Sequence, residues 1–254
     1  MTAGTLAVVG LGPGTADWRL PEAEVALAAA TDLVGYIPYV ERVPERPGLI
    51  RHASDNRVEI DRARHAFALA LEGRHVAVVS GGDPGVFAMA AAVFEALEGE
   101  PAFRAVPVRV VPGLSAMQAA AARLGAPLGH DFCAMSLSDN LKPWDVVLRR
   151  LTAVAQGDFV LALYNPASKA RPTRLGEAFG HLRALKDAAT PVAFARAIGR
   201  PDERIHLTSL GEADPALVDM ATLVVIGSSE TRWVAGADGR RWMLTPRSYG
   251  MARP

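Results

Sequence analysis

VVGLGPGTAD, Val8–Asp17, sets three glycines and a proline directly behind an apolar run. β-branched residues that break at once into a glycine turn predict a strand whose carboxyl end meets a small ligand. A dinucleotide is the first ligand to test, because its fingerprint is G-x-G-x-x-G after a strand, with an acidic residue about 20 positions on. Gly10 and Gly12 fit that spacing, but Thr15 stands at the third position. Pro13 withholds an amide that a pyrophosphate would take from a helix start. Asp32 opens the next predicted strand, whereas ribose recognition needs an acid at a strand's end, and that end is Tyr36. The pattern weighs against a dinucleotide and leaves either another small ligand or a purely structural tight turn.

Outward from this turn, short apolar strands alternate with alanine-rich helices. Strands are predicted at Thr5–Gly10, Asp32–Tyr36, His75–Ser80 and Arg109–Gly113, with helices at Pro21–Ala30, Val58–Gly73, Val86–Leu97 and Ser115–Leu124. Uniformly apolar strands alternating with helices predict a mainly parallel sheet covered on both faces. LGAPLGHD, Leu124–Asp131, reads as a linker. Beyond it, strands are predicted at Phe132–Ser138, Asp158–Tyr164, Pro191–Arg196, Ile205–Leu210 and Thr222–Gly227, with helices after Pro143 and at Pro172–Lys186. Connections as short as Gly199–Arg204 cannot hold a crossover helix, so this sheet should be mixed. The expected fold is two α/β domains, 1–124 and 125–254, with a cofactor cleft between them.

Two more glycine turns follow predicted strands: SGGDPGVF, Ser80–Phe87, and VPGLSAMQAA, Val111–Ala120. Loops at the carboxyl ends of parallel strands line the ligand crevice of such sheets. Three glycine-bearing loops should therefore share one rim.

Composition narrows the partners. The 27 Lys and Arg balance 27 Asp and Glu over 254 residues, which disfavours nonspecific binding to nucleic acid or an acidic membrane. No apolar run approaches the roughly 20 residues that span a bilayer. Cys133 stands alone, so neither an internal disulfide nor a cysteine-cluster metal site is available. With no segment that reads as a signal peptide, a cytoplasmic protein is expected. The six histidines are scattered, and no metal is expected. Only three lysines occur, Lys142, Lys169 and Lys186. The arginine excess fits coding bias, and it also fits bidentate recognition of carboxylates.

VVGLGPGTAD, GGDPGVF, VPGLSA, LALYNP, TPVAFARAIG and TLVVIGSS occur in the order found in tetrapyrrole methyltransferases of cobalamin and siroheme synthesis, and the chain resembles that family over essentially its whole length. GYIPYV, SLSDNLKPW, YNPASKARP and the tail TPRSYG resemble its ring-contracting members. The resemblance implies S-adenosylmethionine as methyl donor, S-adenosylhomocysteine as product, a tetrapyrrole substrate and a homodimer. It also implies that Pro13, Gly81, Gly82, Asp83, Val86, Ser115, Ala116, Tyr164, Asn165, Ala195 and Thr222 contact the cofactor. Asp83 and Ser115 could instead be simple helix caps.

Ring contraction, which the resemblance also implies, requires proton transfer and a polarised oxygen. Ser136, Ser138, Asp139, Asn140, Lys142 and Tyr164 are the candidates. Within this set Ser136, Asp139, Lys142 and Tyr164 are the expected catalytic residues, and Asp139 or Lys142 is expected to handle the proton. A capped helix start ahead of Pro143 would explain the same polar stretch. A polycarboxylate substrate calls for arginines at the rim. The long segment Glu41–Arg57, with Arg42, Arg46, Arg51, His52 and Arg57, is expected to act as a functional loop, as is the Lys169, Arg171 and Arg174 stretch. Arg42, Arg51, Lys169 and Arg171 are the expected substrate contacts. Other macrocycle positions, a cobalt-bearing substrate and a non-enzymatic tetrapyrrole carrier are the competing readings. The clustered polar groups of Ser136–Trp144 weigh against a carrier.

Overall fold

The computed structural model describes residues 3–56, 58–168 and 170–248. The chain divides into two compact units, Met1–Ala116 and Met117–Pro254. The division falls at the start of the helix that begins at Ala116.

In the first unit the elements run β1 (Thr5–Gly10), α1 (Pro21–Ala29), β2 (Asp32–Tyr36), α2 (Ile37–Val40), β3 (Ile50–Ser54), α3 (Glu59–Leu71), β4 (His75–Ser80), α4 (Met89–Gly99) and β5 (Val108–Val111). The five strands form one parallel sheet in the order β3-β2-β4-β1-β5. Alternate residues of each strand face opposite sides. Leu6, Val8, Val76 and Val78 pack with Phe67 of α3 and Val93 of α4. Ala7, Val9, Ala77 and Val79 pack with Ala23 and Leu27 of α1. Burial on both faces explains why these strands read as unbroken apolar runs.

Two expectations change here. The segment Glu41–Arg57 is not one long loop, because β3 lies inside it and pairs with β2 as the sheet's edge. IRHAS is polar at an edge only partly covered, so no apolar alternation marks it. The helix after the third strand begins at Met89 rather than Val86. Phe87 takes φ +52°, outside the right-handed helical region, so the helix can start only beyond it.

The second unit holds α5 (Ala116–Leu124), β6 (Gly125–Ala126), β7 (Phe132–Ser136), α6 (Trp144–Gln156), β8 (Val160–Tyr164), α7 (Arg174–Arg183), β9 (Pro191–Arg196), β10 (Arg204–Ser209), β11 (Thr222–Ile226), β12 (Arg232–Ala235) and β13 (Arg241–Leu244). Its main sheet runs β10-β9-β11-β8-β7. β7 and β8 are parallel, and the remaining pairs are antiparallel, which is the mixed sheet expected. Leu151, Leu163, Leu175, Phe179 and Phe194 anchor its core. The predicted linker contains β6, which joins the hairpin β12–β13 in a small third sheet. Two residues of β6 carry too little pattern to be read as a strand without their partner.

Candidate active site

β4, β1 and β5 are neighbours in the first sheet, so their carboxyl-terminal loops lie side by side. Gly12 and Gly82 form an isolated antiparallel bridge. The Gly12 amide donates to the Gly82 carbonyl at 3.1 Å, and the Gly82 amide returns the bond to the Gly12 carbonyl at 3.0 Å. Gly82 takes φ +70°, a conformation open to glycine at little cost. The third loop presses closer still. A Cβ built on Gly113 would lie 2.3 Å from the Gly82 carbonyl oxygen. The expectation of three glycine loops at one rim is met, and the rim is made of touching backbone.

Asp83 ties two of these loops together. One carboxylate oxygen accepts from the Gly85 amide at 2.8 Å and the other from the Gly113 amide at 3.0 Å. Asp83 does not cap α4, whose capping position is Ala88. Ser115 is buried directly ahead of α5. Pro13 is buried, whereas Gly81, Gly82, Val86 and Ala116 are partly exposed along the same rim. A Cβ on Gly113 would strike the Gly82 carbonyl and the Gly10 backbone, so glycine there serves the contact between loops. A Cβ on Gly82 would meet nothing closer than 3.9 Å, which leaves that face of the rim open to a ligand met by peptide groups.

Arg42, Arg46 and Arg51 of the segment Glu41–Arg57 hold backbone. Arg42 Nη2 donates to the carbonyls of Leu11, Gly12 and Gly14 at 3.0, 2.9 and 2.6 Å. Arg46 Nη2 donates to the carbonyls of Leu27, Ala28 and Ala30 at the end of α1. Arg51 donates to the Val43 carbonyl and faces Glu45 at 3.6 Å. These guanidinium groups hold backbone that would otherwise leave buried carbonyls unmet. Arg42 and Arg51, expected as substrate contacts, thus support the fold. Their partners lie up to 31 residues away in sequence, so no local signal could assign them.

Asp32 also has a structural task. Arg74 binds its two oxygens at 2.7 and 3.1 Å, Thr31 donates at 2.7 Å, and His52 Nε2 lies at 2.9 Å. His52 Nδ1 in turn lies 3.1 Å from His65 Nε2, so two of the scattered histidines meet. Burial favours protonation of Asp32, but the bonds from Arg74, Thr31 and His52 outweigh it and hold its pKa below the ordinary aspartate value.

In the second unit, the loops after β7 and β8 interlock through side chains. Asn165 takes φ +51°, a left-handed conformation that asparagine tolerates better than most residues. Its Nδ2 donates to Ser136 Oγ at 2.9 Å, and the Ser138 amide donates to the same oxygen at 3.2 Å. Arg171 donates to the Leu137 carbonyl at 2.9 Å and the Asn165 carbonyl at 3.5 Å, with Asp139 at 3.6 Å from its Nε. Arg174 pairs with the second Asp139 oxygen at 2.9 Å and lies over the Trp144 ring at 4.6 Å. The Tyr164 hydroxyl accepts from the Met117 amide at 3.0 Å, near the start of α5. Pro143 caps α6 from outside rather than lying in its first turn. The involvement of Arg174 and Trp144 was not anticipated as a unit, although their charge and aromatic character are visible in the sequence.

Lys142 belongs to this cluster. Burial lowers its pKa first, and the nearby charges of Arg150 and Arg171 lower it further against the opposing pull of Asp139. Asp139, by contrast, is committed to two guanidinium groups. Ala195 is buried within β9 between Ile205 and Leu223. Thr222 donates to Asp219 at 2.8 Å and pairs with Arg196 in the sheet. Lys169, Arg57, Tyr249 and Gly250 lie outside the described residues. Among the described residues, no group of three or more His, Cys, Asp or Glu side chains is placed to hold a metal ion, and no helix is long and apolar enough to cross a membrane.

Comparison with known proteins bears on the family and the fold. A precorrin-3B C(17)-methyltransferase from Sinorhizobium sp. is 58% identical over 98% of both chains. A probable cobalt-factor III C(17)-methyltransferase from Salmonella typhimurium is 41% identical, over 96% of this chain and 99% of its own. The crystal structure of the methyltransferase CobJ superposes with a TM-score of 0.92 at 51% identity, covering 96% of this chain and 100% of that one. The family model for tetrapyrrole (corrin/porphyrin) methylases matches residues 5–214, which include all three glycine loops and the interlocked loops after β7 and β8. With that match spread over both units, the chain belongs to the tetrapyrrole methylase family.

Proposed function

We propose that this protein methylates C17 of precorrin-3B and contracts the ring to give precorrin-4, in cobalamin biosynthesis. The enzyme class rests on the family and on the precorrin-3B C(17)-methyltransferase that is 58% identical over nearly the whole chain. The observation that carries the site is the backbone cradle in which Gly10, Gly82 and Gly113 touch. S-adenosylmethionine supplies an electrophilic methyl group on a sulfonium with a neutral leaving group.

The cradle's part is orientation. Residues proposed for cofactor contact are Pro13, Gly81, Gly82, Asp83, Val86, Ser115, Ala116, Tyr164, Asn165, Ala195 and Thr222. Holding two reactants in line can supply much of the rate of such a transfer. Contraction asks more, because protons must move. Lys142 is the proposed proton-handling group, since burial and two arginines favour its neutral amine. Ser136 accepts two hydrogen bonds, which directs its own hydroxyl proton toward a third partner. Asp139 fixes Arg171 and Arg174, and Arg51, Lys169 and Arg171 are the proposed contacts for substrate carboxylates. A homodimer and a cytoplasmic location complete the reading.

The test is mass spectrometry with an optical spectrum after incubation with S-adenosylmethionine and precorrin-3B. One added methyl with a changed chromophore supports the assignment. An unchanged precorrin-3B together with turnover of the cobalt-bearing macrocycle would favour the second reading, which the 41% identical cobalt-factor III relative keeps in view. Binding of one equivalent without turnover would indicate a carrier.

A further inference from the structure

We infer that Arg42 is a positioning residue that sets the register between two of the glycine loops. This rests on the reading of those loops as the cofactor cradle. A trans peptide points its C=O and N–H in opposite directions. The peptide joining Leu11 to Gly12 gives its carbonyl to Arg42 Nη2 at 3.0 Å and its amide to the Gly82 carbonyl at 3.1 Å. The Gly12 carbonyl accepts from Arg42 at 2.9 Å and from the Gly82 amide at 3.0 Å. The same guanidinium nitrogen, its two N–H donors shared among these carbonyls, thus lies behind one bond of the bridge and at the acceptor of the other. A third contact, to the Gly14 carbonyl at 2.6 Å, closes the turn around it. A cation at this point polarises the bridging peptide and strengthens the bond on its far side.

The chain fixes Arg42 in turn. Arg19 Nη2 donates to the Arg42 carbonyl at 3.1 Å, and Arg19 Nη1 pairs with Glu24 at 2.8 Å. Arg19 has only 4% of its side chain exposed, so this support is built in. Arg46 supplies a natural control. It also spends one nitrogen on three carbonyls, but those carbonyls end α1 and do not belong to a glycine loop.

The experiment measures S-adenosylhomocysteine affinity by calorimetry, with thermal melting in parallel, on the full chain and on R42M, R42K and R46M. Both methionine variants should melt at lower temperature. R42M should bind S-adenosylhomocysteine at least ten-fold more weakly, R42K should recover part of that loss, and R46M should bind as the parent does. Equal affinities for R42M and R46M, both near the parent, would overturn the inference, as would equal losses in both. If R42M does not fold, R42K carries the test: affinity reduced beyond that of R46M supports the role, and parental affinity overturns it. A parent chain that fails to bind S-adenosylhomocysteine would overturn the cofactor reading itself, and this inference with it.

Discussion

The two units build their candidate sites from different material. In the first, the rim is peptide backbone: Gly12 and Gly82 bond to each other, and Gly113 sits against the Gly82 carbonyl. In the second, the loops after β7 and β8 are joined by side chains: Asn165 bonds Ser136, and Arg171 bonds the Leu137 carbonyl and faces Asp139. A backbone rim resists added carbon. A side-chain cluster tolerates small changes of volume and is sensitive to charge. On the proposed reading, changes at the glycine rim fall on cofactor binding, and changes at Lys142 fall on proton movement. Variants should then separate affinity from turnover.

The sharpest separation is expected at Lys142. K142M should lower the rate of ring contraction by roughly 10²- to 10⁴-fold, the usual range for loss of a general acid or base. Its affinity for S-adenosylhomocysteine should stay at the parental value. The pH profile gives the sign of the role. With its pKa lowered, Lys142 loses its proton below the ordinary lysine value of 10.5. A base needs the neutral amine, so contraction should rise with pH through a midpoint below that value. A falling limb there would make Lys142 the acid instead, and a profile unchanged in K142M would remove it from the mechanism.

Next in size is the glycine rim. In G113A the new methyl would meet a backbone oxygen at 2.3 Å, and neither partner is a flexible side-chain end. Overpacking of this kind costs about 1–3 kcal/mol of stability, and because the clash pushes the loops apart, binding should weaken by more than about ten-fold. Calorimetric titration with S-adenosylhomocysteine checks it. Parental affinity in G113A would mean that the three loops are not a tight unit, and the contrast between the two halves would fail.

A smaller effect is expected at Asp83, where a side chain serves the backbone rim. D83N keeps one acceptor oxygen for the two amides that the carboxylate now binds. Losing one charged hydrogen bond should weaken S-adenosylhomocysteine binding by about ten-fold, the lower part of the usual range. D83A, which removes both acceptors, should be worse than D83N by the same titration. Equal behaviour of the two variants would indicate that only the charge matters.

The contrast also explains what could be read in advance. The glycine loops were legible because a backbone site leaves its mark locally: glycine follows a β-branched strand at each of β1, β4 and β5. Their sharing of one rim followed from the parallel sheet. The arginine roles were not legible. Arg42 and Arg46 sit in one short stretch with the same chemistry, yet one grips a glycine loop and the other the end of α1. Only the path of the chain in space separates them. β3 was missed for a related reason, since an edge strand bonded on one side needs no apolar alternation. In the second unit the polar stretch Ser136–Trp144 stood out by composition, but its link to Arg174 depends on α7 beginning where it does.

The smallest effect on binding is expected at the amino-terminal end of the first sheet, and it tests whether the rim can be separated from the stability of its scaffold. Asp32 opens β2, while the glycine loops follow the carboxyl ends of β1, β4 and β5. Its folded pKa lies below the ordinary aspartate value. A carboxylate depressed in this way contributes stability that is fully present above its unfolded pKa and is lost as pH falls through the folded one. D32N should therefore melt lower than the parent at pH 7, by roughly 2–6 °C for a chain of this size. The gap should narrow as pH drops below the ordinary aspartate value, because the parent then loses the same charge. S-adenosylhomocysteine affinity at pH 7 and at a temperature well below both melts should not change. If D32N instead weakened binding as much as D83N, the rim would be responding to scaffold stability at large. The first unit could then no longer be divided into a site at one end of its strands and a brace at the other.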